Sequence, residues 1–266
     1  LYYSTLKVNK VHLLILGKRT QVEQNRWHGA TYKENQMTKS FLNEEIHVKK
    51  NGTIPLIYKT ITGKIIPKSG IKVKLSDIYP YITSIEAEYT TITKTKQKML
   101  PIWTTIINDP LNGHYLKVDF LYIDDINTPP PARSLKAFPG LSLINPADGN
   151  PYYESRKRKG NFNIIEKHLK NSVKRYLNSD NYNGNINDGW TSSTPISNRN
   201  HIFNEELCIT LAYFHLSNIV RYNPEHLFKL MDSKYWAILL ALRKHGYLTY
   251  LKLMWGNFNK CSFDIT

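Results

Sequence analysis

Arg221 and His226 are separated by four residues in Val220-Arg221-Tyr222-Asn223-Pro224-Glu225-His226. An arginine and a histidine at this spacing can carry phosphodiester chemistry without a metal. The guanidinium fork matches phosphate oxygens and binds them bidentately. A neutral imidazole can take the proton of a hydroxyl within hydrogen-bond reach. Asn223 is a helix-capping residue type and Pro224 suits a first helical position, which predicts His226 in the first turn of a new helix. The positive end of that helix favours phosphate and disfavours imidazolium, leaving a base for a ribose 2′-OH. The structural alternative pairs Arg221 with helix C-terminal carbonyls or a buried carboxylate, with His226 on the surface. Both readings stay open at this level.

Other residues compete for a role. His28, in Trp27-His28-Gly29, can line a ligand pocket with Trp27 or simply bond a loop backbone. Asp119, Asp124, Asp125 and Glu154 could hold a nuclease metal, but no Glu-x-Lys exists and Asp232-Ser233-Lys234 is the sole Asp-x-Lys, so these acids are expected in turns. The two cysteines, Cys208 and Cys261, cannot build a structural zinc site, and no phosphate-binding glycine loop or nucleophile elbow is present. No metal and no cofactor are expected. Arg156, Lys157, Arg158, Lys159, Lys167, Lys170, Lys174 and Arg175 put eight cations within 20 residues, beside Tyr152, Tyr153 and Phe162. Such a run can follow a phosphate backbone or form a solvated face. Lys94, Lys96 and Lys98 make a smaller basic set among threonines.

The elements that must position these residues follow from periodicity. Residues 1–17 read as a helix stopped by Gly17. Residues 44–125 read as strand-rich: 45–49 alternates, Asn51-Gly52 suggests a hairpin turn, and 54–61, 71–75 and 115–123 read as strands. A short helix from Ser76-Asp77 to Ile85 is expected despite Pro80. Residues 129–151 form a proline-rich connection, and 154–177 a basic helix with Ile164, Ile165, Leu169, Val173 and Leu177 on one side. Residues 178–200 read as a polar, mobile loop, and 203–258 as a helical part. Within it, 10 of the 14 residues from Leu207 to Val220 are apolar, which predicts a buried helix. Leu207, Leu211, Phe214, Ile219 and Trp236 are the expected core. Strands bracketed by helices without βαβ alternation indicate an α+β fold in one unit, a helical scaffold from both chain ends around a strand-rich insertion.

The net charge of +15 favours an anionic partner. RNA is the first expectation; a protein partner or a homodimer is the alternative. No apolar run reaches the roughly 18 residues of a membrane span, so no membrane is expected. Cys208 within the apolar helix suggests a reduced, cytoplasmic setting. The opening on Leu1 inside a helix suggests that an N-terminal segment precedes it.

Leu216-Ser217-Asn218-Ile219-Val220-Arg221-Tyr222-Asn223-Pro224-Glu225-His226-Leu227-Phe228-Lys229-Leu230-Met231-Asp232, followed by an apolar helical tail, resembles the C-terminal part of the YaaC-like family, with its Arg-Tyr-x-Pro step. Leu1-Tyr2-Tyr3-Ser4-Thr5-Leu6-Lys7, Trp27-His28-Gly29, Asn51-Gly52-Thr53-Ile54 and Leu75-Ser76-Asp77-Ile78-Tyr79-Pro80 look like further motifs of that family, in order. This family has no well-established activity. The Arg-x4-His spacing also resembles the signature of HEPN ribonucleases, which implies a four-helix scaffold and metal-independent RNA cleavage. Tyr222 stands where those enzymes usually carry a polar residue, and Pro224 interrupts the motif.

Overall fold

A computed structural model describes residues 1–15, 17–18, 28–32, 40–62, 64–96, 98–120, 140–147, 151–173, 190–195 and 203–260. It is a mixture of helix and antiparallel sheet. The chain divides into two compact units where the sequence predicts one. Unit 1 joins residues 1–97 and 200–266, and unit 2 is the segment 98–199 between them.

Unit 1 is organised around α5 (Glu205–Tyr222). Asn204 caps it, its side-chain oxygen accepting from the Leu207 amide at 3.4 Å, and Glu205 and Glu206 complement the first-turn dipole. Leu207, Leu211, Phe214 and Ile219 are buried as expected, while Trp236 is only half-buried. α1 (Tyr2–Ile15) packs on α2 (Thr53–Thr62), α5 and α8 (Tyr247–Lys260). Two buried hydrogen bonds tie α1 in place: Asn9 Nδ2 donates to Thr210 Oγ1 at 3.2 Å, and the Tyr250 hydroxyl to the Thr5 carbonyl at 2.9 Å. α3 (Glu86–Thr93), α6 (Pro224–Met231), α7 (Trp236–Ala241) and a π-helical turn at Leu242–Gly246 complete the helices. A small antiparallel sheet runs β1 (Ala30–Tyr32), β2 (Glu45–Val48), β3 (Ile71–Lys74).

Residues 54–61 are helical, not a strand. Ile54, Ile57 and Tyr58 recur at helical spacing and are all buried, and a short apolar run fits both periods until packing chooses. Asn51-Gly52 accordingly leads into a helix rather than turning a hairpin. From Leu75 to Ile85 the expected helix is three successive 3₁₀ turns, Leu75–Asp77, Tyr79–Tyr81 and Thr83–Ile85. Pro80 lacks the amide that a continuous α-helix would need there.

Unit 2 holds a five-stranded antiparallel sheet in the order β6 (Leu141–Ile144), β7 (Tyr152–Ser155), β5 (Tyr115–Phe120), β4 (Met99–Ile107), β8 (Trp190–Pro195). β8 lies in the stretch expected as a mobile loop, and β6 in the expected proline-rich connection. The basic helix starts later than predicted, as α4 (Phe162–Val173). Glu154 and Ser155 end β7, and Arg156–Lys159 lies outside helix and strand, with Arg158 exchanging backbone hydrogen bonds with His114 at 2.9 and 3.0 Å. Ile165 and Leu169 are buried, whereas Ile164 is 71% exposed: it follows Asn163 on the solvent side of α4. Trp27, Asp124, Asp125, Lys174, Arg175 and Leu177 lie outside the described residues.

Candidate active site of the helical unit

Arg221 and His226 occupy different surroundings. α5 ends at Tyr222, because Asn223 leaves the helical conformation and Pro224 cannot continue the hydrogen-bond ladder. Pro224 then opens α6 as expected, although Asn223 makes no side-chain cap and its Nδ2 is buried without a partner among the described residues. Arg221 is exposed at the end of α5. His226, in the first turn of α6, is buried, and so reverses the placement in the structural alternative.

His226 is held by Glu44, a residue to which the sequence offers no pointer. Glu44 is 0% exposed, and three side chains converge on its carboxylate. His226 Nε2 lies 2.8 Å from Oε1, His215 Nε2 lies 2.7 Å from Oε2, and the Tyr32 hydroxyl donates to Oε2 at 2.6 Å. Burial alone would raise the Glu44 carboxyl, but the hydrogen bond and charge of His215, with Tyr32 and His226 behind them, leave it below its ordinary range. Burial pushes His215 down. Its Nδ1 has no partner among the described residues, so a second proton there would be buried without an acceptor. The arrangement is therefore a carboxylate saturated by donors. It links β1, the start of β2, α5 and α6, and it leaves no carboxylate lone pair turned to solvent. Among the described residues no group of three or more His, Cys, Asp or Glu forms a metal-binding set.

The half-exposed chemistry lies at the other histidine. The Tyr2 hydroxyl is 2.7 Å from His28 Nδ1, and the Tyr3 ring stands edge-on to the imidazole at 6.0 Å. The Arg221 guanidinium donates to the Tyr3 hydroxyl and lies over the Tyr3 and Tyr222 rings at 5.4 and 5.7 Å. Tyr2, Tyr3, His28 and Arg221 thus share one site at the start of α1 and the end of α5. Burial, then the nearby charges of Lys10 and Arg221, lower the His28 pKa and keep the ring neutral. Burial raises the Tyr2 phenol, which stays protonated. With Nδ1 facing Tyr2, Nε2 is the nitrogen available to a ligand; no hydrogen bond occupies it among the described residues.

Two glycines fix the His28 loop. Gly29 and Gly52 both have positive φ, +83° and +128°, and a Cβ on Gly52 would fall 2.5 Å from Gly29 Cα. The Ile54 amide donates to the His28 carbonyl at 3.1 Å and the Lys49 amide to the Gly29 carbonyl at 2.8 Å. The start of α2 therefore grips the backbone on which His28 is mounted. Both glycines belong to short motifs visible in the sequence, whereas their mutual contact is not.

The sequence profile of the YaaC-like protein family matches residues 1–245. The chain belongs to the YaaC-like family. The match spans every side chain of both histidine clusters, from Tyr2 to His226. No curated protein and no solved structure matches the chain. Among the described residues no helix is long and apolar enough to cross a membrane.

Proposed function

We propose that this YaaC-like protein is a cytoplasmic, RNA-associated protein whose helical unit is a HEPN-like scaffold for metal-independent RNA cleavage, with Arg221 as phosphate clamp and His28 as base. The observation that carries this reading is the neutral, half-exposed His28 oriented by Tyr2 beside an exposed arginine braced by Tyr3. The packing of α1, α2 and α8 against α5 supports the scaffold. The Arg-x4-His spacing contributes its arginine directly. His226 contributes through Glu44, by anchoring the α5–α6 junction that carries Arg221.

The step balances without a metal. His28 Nδ1–H donates to the Tyr2 oxygen, which leaves the Nε2 lone pair free to accept the 2′-OH proton. The 2′-oxygen forms a bond to phosphorus, the bond to the 5′-oxygen breaks, and water protonates the departing 5′-oxygen. Arg221 and the Tyr3 hydroxyl offset charge on the non-bridging oxygens. Single-stranded RNA should be cut in EDTA, leaving 2′,3′-cyclic phosphate ends, and DNA should be untouched. Arg221→Ala and His28→Ala should each slow cleavage roughly 100-fold or more. A folded Arg221→Ala protein that cleaves at the wild-type rate overturns the reading.

A non-catalytic interaction module is the second reading. Exposed Val220, Tyr222 and Phe228 at 56, 60 and 63% form its basis, since apolar side chains near one helix junction suit a protein partner or a second copy. Tyr222→Ala or Phe228→Ala abolishing self-association, with no RNA cleavage at any stage, would favour it.

A further inference from the structure

The five-stranded sheet of unit 2 has two unlike faces. Leu116 and Val118 of β5, with Ile102 and Ile106 of β4, point into its core and are buried. The alternate residues form the other face. Trp103 pairs across from Asp119, Thr105 from Lys117, and Lys117 in turn from Glu154 of β7. Residues directly opposite in an antiparallel pair share a face, so Trp103, Tyr115, Lys117 and Tyr152 stand on one surface, all half-exposed. Lys117 Nζ lies 4.6 Å over the Tyr152 ring, and Lys157 Nζ lies 5.1 Å over the Tyr115 ring.

We propose that this face is a docking platform for single-stranded nucleic acid. Tyr115, Tyr152 and Trp103 stack bases, and the basic segment Arg156–Lys159 follows the phosphates. The proposal deepens the RNA association argued above, but it uses other residues and stands or falls by binding alone. Magnitudes allow the exchange it requires. A stacked base gains more than an exposed ammonium held over a ring. An arriving base therefore displaces the lysine, which swings toward the adjoining phosphate.

Carboxylates qualify the charge without cancelling it. Lys117 pairs with Asp119 at 2.8 Å and Lys157 touches Glu154 at 4.0 Å, so these two ammonium groups are locally balanced. Among the described residues no carboxylate pairs with Arg156, Arg158 or Lys159, which are exposed. The backbone bridge from Arg158 to His114 fixes this segment at the end of β7, next to the rings. A duplex hides its base faces inside its own stack, and an acidic peptide has no faces to offer the rings. A single strand supplies both complements.

The test uses the full chain with Arg221→Ala, which removes the cleavage proposed for the other unit. Fluorescence anisotropy would follow a mixed-sequence oligonucleotide as single-stranded RNA, single-stranded DNA and duplex. Both single strands should bind comparably, because stacking ignores the 2′-OH, and the duplex more weakly. Tyr115→Ser with Tyr152→Ser should weaken single-strand binding roughly tenfold or more with little change in salt dependence, and Phe at both positions should restore it. Replacing Arg156, Arg158 and Lys159 with Gln should flatten the salt dependence instead. These three are exposed, so that variant serves if the serine pair unfolds. Unchanged affinity in folded variants overturns the proposal, as does duplex binding as tight as single-strand binding, or equal competition by polyglutamate. Absence of RNA cleavage by the wild-type protein leaves all these readouts intact and refutes only the catalytic reading.

Discussion

At the scale of the residue, the two histidines of the proposed chemistry differ in what surrounds them. His28 has one nitrogen on a phenol and the other without a hydrogen bond among the described residues, with cations nearby, whereas His226 has its Nε2 committed to a buried carboxylate. Their mutants should therefore separate. His28→Ala should lose cleavage in a protein that still melts cooperatively, at a smaller stability cost than His226→Ala because its bond to Tyr2 is only part-buried. His226→Ala should lose about 1–3 kcal/mol in urea titration, because a buried acceptor is stripped of a donor. Glu44→Gln should cost more, roughly 3–5 kcal/mol, since the amide presents a donor to groups that are already donors. The pH profile gives a finer readout. Because burial, and after it the charges of Lys10 and Arg221, lower the His28 pKa, the acid limb of cleavage should fall below the ordinary histidine value. Removing one of those charges, as in Lys10→Gln, raises that pKa, so the limb should move to higher pH. An unmoved limb would take the base role away from His28.

At the scale of the element, α2 and α5 do the positioning. The Gly29–Gly52 contact leaves no room for a methyl group, and a positive φ at position 52 adds strain of about 1–3 kcal/mol for any other residue. Gly52→Ala should lower stability by that order and reduce cleavage as the His28 loop is pushed off α2; thermal melting beside the cleavage assay checks both. In α5, Leu211 is fully buried, and Leu211→Ala should cost about 2–5 kcal/mol through lost burial and a cavity. A loss under about 0.5 kcal/mol in denaturant melts would contradict the packing of this helix.

At the scale of the whole molecule, buried titratable groups pull stability in opposite directions with pH. Glu205 accepts from the Thr83 amide at 2.7 Å, yet burial raises its pKa to about 7. The folded state then holds more protons than the unfolded state between the ordinary carboxylate range and about pH 7, so its contribution is present in acid and lost as pH rises through that window. His215 and Glu44 are depressed in the folded state, so their contributions are present at neutral pH and lost on acidification, His215 first. Glu205→Gln retains the carbonyl acceptor and removes the burden of ionisation. Its melting temperature relative to wild type should rise between pH 5 and pH 8; a difference independent of pH would mean that Glu205 ionises freely.

What the sequence determined by itself was whatever rests on neighbours along the chain. The burial of α5 follows from its apolar density, the α5–α6 break from Asn223-Pro224, and the mixed fold from strands lying between helices. The period of residues 54–61 did not decide between helix and strand, because only contacts of Ile54, Ile57 and Tyr58 with the rest of the core favour one. The site divides the same way. Arg221, His226 and His28 stand out as residue types with chemical capacity. Which histidine faces solvent was decided by Glu44, 171 residues from His215 and 182 from His226 in the chain, and by Tyr2, 26 residues from His28. Hydrogen bonds of that span leave no local pattern. Their partners are brought together by burial of the surfaces around them, and that burial is a property of the folded whole.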